Sequence, residues 1–342
     1  MTDQPPQPSL DWLNADVERV KVLPGPDGLT LERIMVGRYG EVPDHWPHLT
    51  DFPRGASDGG PTAFAASYSL NDKADVWADN AAALYEQAIR ERWVSATAVP
   101  WETLTPLSAE VEAAICQLCT TLSEDGFAAQ QVIGRWLERI AYGFLEVKSF
   151  LATQVFDAGR HCEAFRKRAL ANGGGLGLQS PGVMHRALTD SLKWTELVAT
   201  LDLLRTSATL ALLETTALSQ TEAEAVLYRL ASRDLERWLA YGVAHVRYHL
   251  EHRPDRRGQL SLGLIRGETA FVQDTVRDTP LHEALLVLLG RGERLEIARE
   301  RLAELRRRQV DRYLDALEQA GLPERRDRAA MMLSPVPVVA SG

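Results

Sequence analysis

The stretch from residue 145 to residue 165, LEVKSFLATQVFDAGRHCEAF, carries the strongest pattern in the chain. Its apolar residues recur at intervals of three and four, which places them on one helix face: Val147, Leu151, Ala158 and Phe165. Gln154 and His161 fall on the same face. A histidine there must satisfy two ring nitrogens, because an unpaired polar group costs free energy when it is buried. The pattern therefore predicts a buried helix in which His161 has a partner.

A related motif occurs later in the chain. The first motif is D-x-x-R-H at residues 157–161, and the second is D-x-x-R-W at residues 234–238. Seventy-seven residues separate the two aspartates. Two pairs of long helices, each with such a motif in its second member, predict a four-helix bundle with internal pseudo-symmetry.

Length and composition indicate an ordinary globular protein. The 342 residues are 45% hydrophobic and 25% charged, which suits one sizeable core. The net charge of −9 argues against nucleic acid or an anionic membrane as partner. No run of about 18 apolar residues is present, and the first residues, MTDQPPQPSLDW, do not resemble a signal peptide. We therefore expect a cytoplasmic protein with no membrane partner and no nucleic-acid partner.

The three cysteines are too few for a disulfide framework. Cys116 and Cys119 form a C-x-x-C within a helical pattern, without the β-α-β context of a redox motif. We expect both to pack as small hydrophobic residues in the core.

The chain divides into three predicted regions. Residues 1–70 contain GPDG, EVPDHWPH and DFPRGASDGGP, and these turn-forming residues predict an irregular arm. Residues 71–255 are predicted to form the helical bundle, and residues 256–342 to form C-terminal helices packed on it.

Helical spacing covers most of the chain after residue 75, and no alternating strand pattern or hairpin signal interrupts it. Ser108 marks a helix start, because its side chain can cap the first turn. Asn172 and the glycines that follow it mark a helix end. The predicted helices cover 75–93, 108–142, 144–171, 181–217, 220–253, 266–276, 280–290 and 292–321. The predicted fold is all-α.

The run FLATQ followed by D-x-x-R-H resembles the metal-ligand helix of ferritin-like diiron carboxylate proteins. These include the small subunit of class I ribonucleotide reductase, its ligand-binding oxidase relatives and the multicomponent monooxygenases. There the motif is usually D-E-x-R-H, and its glutamate and histidine both bind iron. The stretch YEQAIRERWVSATAVPWETL is also similar to the segment before the first bundle helix in that family. The resemblance covers about residues 75–255 and implies a ferritin-like four-helix bundle.

The resemblance implies six ligand positions, and one of them holds a ligand residue here. The two Glu-x-x-His pairs fall on Ala158 with His161 and on Leu235 with Trp238. The lone glutamates of the other two helices should fall near Phe127 and near Thr206. Alanine, leucine and tryptophan cannot coordinate iron, so the resemblance implies a degenerate site with no resident metal or other cofactor. Apolar replacements avoid the cost of burying carboxylates that no metal neutralises.

The residues around these positions are retained: Asp157, Arg160, Asp234 and Arg237. In the ribonucleotide reductase small subunit, the aspartate before the second ligand glutamate hydrogen-bonds the histidine of the first pair. The resemblance therefore implies that Asp234 holds His161. Such a contact satisfies a buried histidine and a buried aspartate even without metal.

Three other groups of residues could bind a metal. The first, His45, Trp46 and His48, lies between prolines and indicates a surface loop anchored by its tryptophan. The second, His245, His249 and His252, has helical spacing, but nearby arginines favour a partly exposed helix end. The third, Asp202, Glu214, Gln130 and Gln154, would need several register shifts to converge.

Three functions are compatible with these observations. The first is a non-catalytic structural or regulatory subunit, either a homodimer or a partner of an active ferritin-like paralogue. Multicomponent monooxygenases provide the analogy, since they pair a metal-bearing subunit with a metal-free one of the same fold. The second is an oxygenase for a small hydrophobic substrate, with iron or manganese at an atypical site around His161. The third is a module that holds a hydrophobic small molecule in the bundle interior.

Overall fold

The structure is a computed structural model that describes residues 10–47, 53–57 and 68–333. Over these ranges the chain is all-helical, and its β-type contacts are isolated bridges. The α-helices are α1 (Leu31–Ile34), α2 (Ala81–Arg90), α3 (Ser95–Ala98), α4 (Ala109–Leu137), α5 (Leu145–Ala171), α6 (Val183–Thr189), α7 (Trp194–Val198), α8 (Thr206–Leu213), α9 (Glu222–His252), α10 (Arg257–Arg277), α11 (Thr279–Gly290), α12 (Leu295–Gln319) and α13 (Ala329–Leu333).

Helix α5, which contains the stretch quoted first, lies at the centre of the packing. It runs along α4 and also contacts α2 and α9. Helix α4 begins as predicted, because the Ser108 hydroxyl accepts a hydrogen bond from the Val111 amide. Past the end of α5, Gly173 and Gly175 have φ values of 88° and 86°, the left-handed conformation that favours glycine.

The predicted single helix 181–217 is wrong. Helix α6 ends at Thr189, and a new helical run begins at Trp194. In the break, the Ser191 hydroxyl bonds the Ala187 carbonyl, a local contact that competes with helix continuation. The new run comprises α7, a π-helical segment over Ala199–Arg205 and α8. No glycine or proline marks the break in the sequence, so helical spacing alone did not reveal it.

The described part of the N-terminal arm is fixed to the start of α5 by two contacts. Arg54 is buried and pairs with the Glu146 carboxylate at 2.5 Å. Trp46 is buried against Gly143, and a Cβ on that glycine would lie 2.3 Å from the indole ring. The prediction that Trp46 anchors a loop is therefore confirmed. His45 is exposed and bonds Asp72 at 2.7 Å, and His48 lies outside the described residues.

The C-terminal helices pack on the preceding ones. Helix α11 contacts α4, α12 contacts α8, and α10 contacts α6 and the π-helical segment. Glu268 of α10 is fully buried and accepts hydrogen bonds from Arg325 at 2.5 Å, Arg328 at 2.8 Å and the Tyr313 hydroxyl at 3.1 Å. Three donors on one buried carboxylate stabilise its charge, and two of them attach residues 325–328 to α10.

Among the described residues, no helix combines the length and the apolar character needed to cross a bilayer. Cys116 and Cys119 are buried free thiols in α4. Burial raises the pKa of both thiols, that of Cys116 to about 11. This agrees with a packing role, because a thiolate is the reactive form.

Candidate functional site

Helices α5 and α9 bring the two D-x-x-R motifs together in the protein interior. Arg160 pairs with Asp157 of its own helix and reaches Asp234 of α9 at 2.7 Å. Arg237 does the reverse: it pairs with Asp234 of its own helix and reaches Asp157 of α5 at 3.2 Å. All four side chains are at most 5% exposed. The two carboxylates and two guanidiniums balance in charge, which a buried ionic group requires.

His161 is held by the second motif. Its Nε2 lies 2.9 Å from Oδ2 of Asp234, as predicted. A carboxylate can only accept, so Nε2 carries the proton in this contact. The same oxygen accepts from Nε1 of Trp93 at 2.9 Å. Burial alone would raise the pKa of Asp234, but the hydrogen bond from His161 and the charges of Arg160 and Arg237 outweigh it and lower that pKa.

The His161 ring stacks with two tryptophans. Its centroid lies 5.7 Å from that of Trp238 and 6.5 Å from that of Trp93, with interplanar angles of 21° and 26°. Trp93 comes from the segment between α2 and α3, and Trp238 comes from α9. Three elements therefore fix the imidazole. The sequence pattern did not identify the contact of Trp93, because that residue lies 141 positions from Asp234.

The aligned ligand positions are buried, as predicted. Ala158, Leu235 and Trp238 are 0%, 5% and 3% exposed. His161, Leu235 and Trp238 line an interior cavity of about 40 Å³ between α4, α5, α8 and α9. A space of this size holds one or a few water molecules.

Phe127, near which the resemblance placed a glutamate of α4, does not face the interior, since it is 52% exposed. Gly126 and Ala129 line the cavity instead. A Cβ on Gly126 would lie 2.8 Å from the Ala158 carbonyl oxygen, so α4 and α5 pack too closely there for any side chain. The other expected position, Thr206, does line the cavity.

The side chains around the cavity do not fit a dimetal centre. Asp125 is the carboxylate in the lining, and it pairs with Arg205 and with His185, the latter at 3.0 Å. His161 contributes an imidazole, and Thr206 a hydroxyl. Two iron ions need several carboxylates to offset their charge. Within the described ranges, no three His, Cys, Asp or Glu residues are grouped so that they could hold a metal ion.

Gln154 and Asp202 form a separate buried pair. The Gln154 amide donates to Oδ1 of Asp202 at 2.7 Å, and each residue is 1% exposed. Burial raises the pKa of Asp202 well above its usual range, and the contact with Gln154 offsets this only in part. Glu214 and Gln130 do not join them, since Glu214 pairs with Arg312 and Gln130 is exposed. The four-residue metal set considered from the sequence is therefore not assembled.

The prediction of a partly exposed helix end for the α9 histidines is wrong for two of the three. His245 is fully buried between Thr195 and the Trp77 carbonyl, and His249 is 6% exposed beside the Ala74 carbonyl. The segment before α2 covers this end of α9, and its carbonyl groups accept a hydrogen bond from Nδ1 of each of these two histidines. His252 alone is exposed.

No family model matches the chain. No curated protein matches it either.

Proposed function

We propose that the chain has a ferritin-like four-helix core formed by α4, α5, the α7–α8 run and α9. Two observations support this arrangement. The D-x-x-R motifs of α5 and α9 are joined reciprocally in the interior. The cavity beside them is lined by residues of all four helical runs. In such a core, Ala158, His161, Leu235 and Trp238 occupy positions where diiron relatives carry ligands.

We further propose a non-catalytic role, as a structural or regulatory subunit that assembles with itself or with an active ferritin-like paralogue. The observation that carries this proposal is the contrast between two sets of buried residues. The charged network of Asp157, Arg160, Asp234 and Arg237 is complete, whereas the ligand positions hold apolar side chains. A fold that keeps its scaffold but has no donors for two iron ions suits assembly better than oxygen chemistry.

The two alternative functions have weaker support. An oxygenase with an atypical metal site needs donors beside His161, and the nearest carboxylate, Asp234, is engaged by two arginines, a tryptophan and His161 itself. A module that holds an apolar molecule needs roughly 300–1,000 Å³, far more than the interior cavity provides.

Co-expression with a homologous chain that carries the complete D-E-x-R-H pair tests the proposal. We expect a stoichiometric complex on size exclusion, with iron bound in the partner. The isolated chain should bind well under one equivalent of iron or manganese when both metals are supplied. A chain that binds two equivalents of iron on its own would contradict the proposal, as would failure both to form this complex and to self-associate.

A further inference from the structure

The outward sides of α4 and α5 carry no charge where the two helices run side by side. Residues 126–133 of α4 include no Asp, Glu, Lys or Arg, although such residues make up 25% of the chain. Residues 149–159 of α5 include one, Asp157, which is buried. The two stretches are in close contact, since a Cβ on Gly159 would lie 3.2 Å from Nε2 of Gln130. Depletion of charged residues is the compositional signal of an interface core.

Large apolar side chains project from this surface into solvent. Phe127 of α4 and Phe156 of α5 are each half exposed, and Val94, just before α3, is 60% exposed. The Phe156 ring packs on the Arg160 guanidinium, whose central carbon lies 5.2 Å from the ring centroid. Because Arg160 is fixed in the Asp–Arg network, this contact holds the ring in its outward position. Exposed aromatic side chains held in this way are typical anchors of protein interfaces.

A groove of about 620 Å³ lies beside these protruding side chains. Residues 92–96 line it together with Gln130 of α4 and the outward side of α5. Phe127 lies one helical turn before Gln130, on the same side of α4. The surface, here termed the α4–α5 face, comprises Val94, Phe127, Gln130, Ala152, Phe156 and Gly159. It has both protruding rings and a depression that can receive them. Such a surface is complementary to its own copy, because a two-fold axis places the same patch on both sides of the contact.

The rim of the groove carries one exposed charge of each sign. Arg92 lines the groove, is exposed, and has no ionic partner among the described residues. Glu163 also lines it, and its half-exposed carboxylate pairs with Lys167 of the same helix. The third charged group in the lining, Arg160, is neutralised within the Asp–Arg network. A two-fold axis through the groove places Arg92 of each copy opposite Glu163 of the other, so the rim charges attract. A partner with a strong net charge of either sign gains less from such a rim.

The α4–α5 face has the size of the core of a dimer interface. The uncharged stretches are about 12–16 Å long, and two adjacent helices with the segment beside them span about 25–30 Å, which gives roughly 400 Å² in projection. A stable interface buries about 800 Å² on each partner, and just over half of this area is apolar. The face therefore supplies the apolar core, and the polar residues around it supply the rim.

We propose that the α4–α5 face is a two-fold interface between two copies of this chain. Phe127 and Phe156 of each copy pack against the groove of the other, and Arg92 of each copy pairs with Glu163 of the other. This inference rests on the assembly role proposed above and specifies its surface and its partner.

Sedimentation equilibrium of the full chain tests the interface. We expect a dimer. Phe127→Glu and Phe156→Glu should each raise its dissociation constant at least about hundredfold, because each substitution occurs twice across a two-fold axis. Leu262→Glu is the matched control, since Leu262 is 67% exposed within α10 and its replacement should leave the dissociation constant unchanged. Circular dichroism shows whether each variant is folded. A monomeric wild type, or a dimer that persists in both phenylalanine variants, would overturn the inference.

Two charge variants test the two-fold pairing. Arg92→Glu alone and Glu163→Arg alone should each weaken self-association at least about tenfold, since like charges then meet twice across the axis. An equimolar mixture of the two variants should dimerise as the wild type does, because each copy offers the other an opposite charge at both contacts. A mixture that associates no better than the separate variants would contradict the pairing of Arg92 with Glu163.

The complex with a homologue that carries the D-E-x-R-H pair separates this inference from the proposed function. A chain that is monomeric alone but forms that complex would overturn the two-fold interface and leave the proposed function standing. Loss of the same complex in Phe156→Glu would then show that the α4–α5 face receives the homologue instead of a second copy. A chain that forms neither assembly would contradict both proposals.

Discussion

Oδ2 of Asp234 lies 2.9 Å from Nε2 of His161, and this contact joins the two halves of the buried network. The same oxygen accepts from Arg160 of α5 and from Trp93. One carboxylate oxygen on α9 therefore holds three donors from two other segments. Asp157 has a smaller role, since among the described residues it accepts from Arg160 and Arg237 alone. The two halves of the network are related but not equivalent.

This asymmetry predicts the effect of removing each carboxylate. Asp234→Ala should destabilise the fold by about 3–5 kcal/mol, because two buried guanidiniums and an imidazole lose an anionic partner. Asp157→Ala should cost less, because fewer groups depend on it. Urea unfolding gives both values, with the exposed Asp255→Ala as the control. Equal losses of unfolding free energy for Asp234→Ala and Asp157→Ala would contradict this prediction.

A double-mutant cycle measures the contact itself. With His161→Leu as the second change, the Asp234→Ala and His161→Leu losses should differ from additivity by about 0.5–3 kcal/mol, as expected for neighbours in one network. Strictly additive losses would mean that the two side chains act independently. The all-helical fold would then stand, but the proposal that this network derives from a metal-site scaffold would lose its main support.

The sequence predicted the parts of this arrangement that follow from local spacing. The D-x-x-R motifs lie at helix positions i and i+3, so their pairing within α5 and α9 follows from geometry. The Asp234–His161 contact came from the family resemblance, because no single-sequence pattern relates positions 73 apart. The Trp93 contact and the π-helical segment had no local signal. The break near Ser191 was missed because no glycine or proline marks it in the sequence.

The two tryptophans beside His161 should respond differently to mutation. Nε1 of Trp93 bonds an ionised carboxylate, whereas Nε1 of Trp238 is buried with no hydrogen-bond partner among the described residues. Trp93→Phe loses a bond to a charged group, worth about 1.5–3 kcal/mol. Trp238→Phe removes an unsatisfied donor, which offsets part of its lost packing. Thermal unfolding should therefore show the smaller loss for Trp238→Phe, and the reverse order would count against the Trp93–Asp234 bond.

Asp202 should make stability depend on pH. Burial raises its pKa in the folded protein above the value of about 3.9 in an unfolded chain. Above pH of about 4 the unfolded chain releases the proton while the folded protein retains it. Asp202 therefore contributes most to the free energy of unfolding at low pH. That contribution falls by about 1.4 kcal/mol for each pH unit until the pKa of Asp202 in the folded protein is reached. Asp202→Asn removes this titration, so its free energy of unfolding should increase relative to that of the wild type as pH rises.

Unfolding free energies of wild type and Asp202→Asn across pH 4–8 provide the measurement. Asp202→Ala is the control, since it also stops titrating but leaves the buried Gln154 amide without its acceptor. The free energy of unfolding of Asp202→Ala should be lower than that of Asp202→Asn at every pH. A constant difference between wild type and Asp202→Asn would show that Asp202 is already ionised in the folded protein.

Two glycines in α4 test how closely this helix packs against α5 beside the interior cavity. A Cβ on Gly126 would lie 2.7 Å from the Cys162 amide nitrogen and 2.8 Å from the Ala158 carbonyl oxygen, both rigid backbone atoms of α5. A Cβ on Gly134 would meet no atom within 4 Å. Gly126→Ala must therefore push α4 and α5 apart and should cost at least about 1–3 kcal/mol. Gly134→Ala should stabilise the protein by about 0.5–1 kcal/mol through higher helix propensity.

The comparison bears on whether a diiron site could be built into this interior. If Gly126→Ala is destabilising, a glutamate at that position would require the same separation of α4 and α5, so adding ligands at Ala158 and Trp238 would not complete such a site. We expect Gly126→Glu to unfold the protein, whereas Gly134→Glu is tolerated as an exposed helix substitution. Thermal unfolding followed by circular dichroism, applied to the Ala and Glu variants at both glycines, measures these differences in stability. A Gly126→Ala protein as stable as Gly134→Ala would show that the helices can separate at low cost, and the interior would then be open to a side chain at this level.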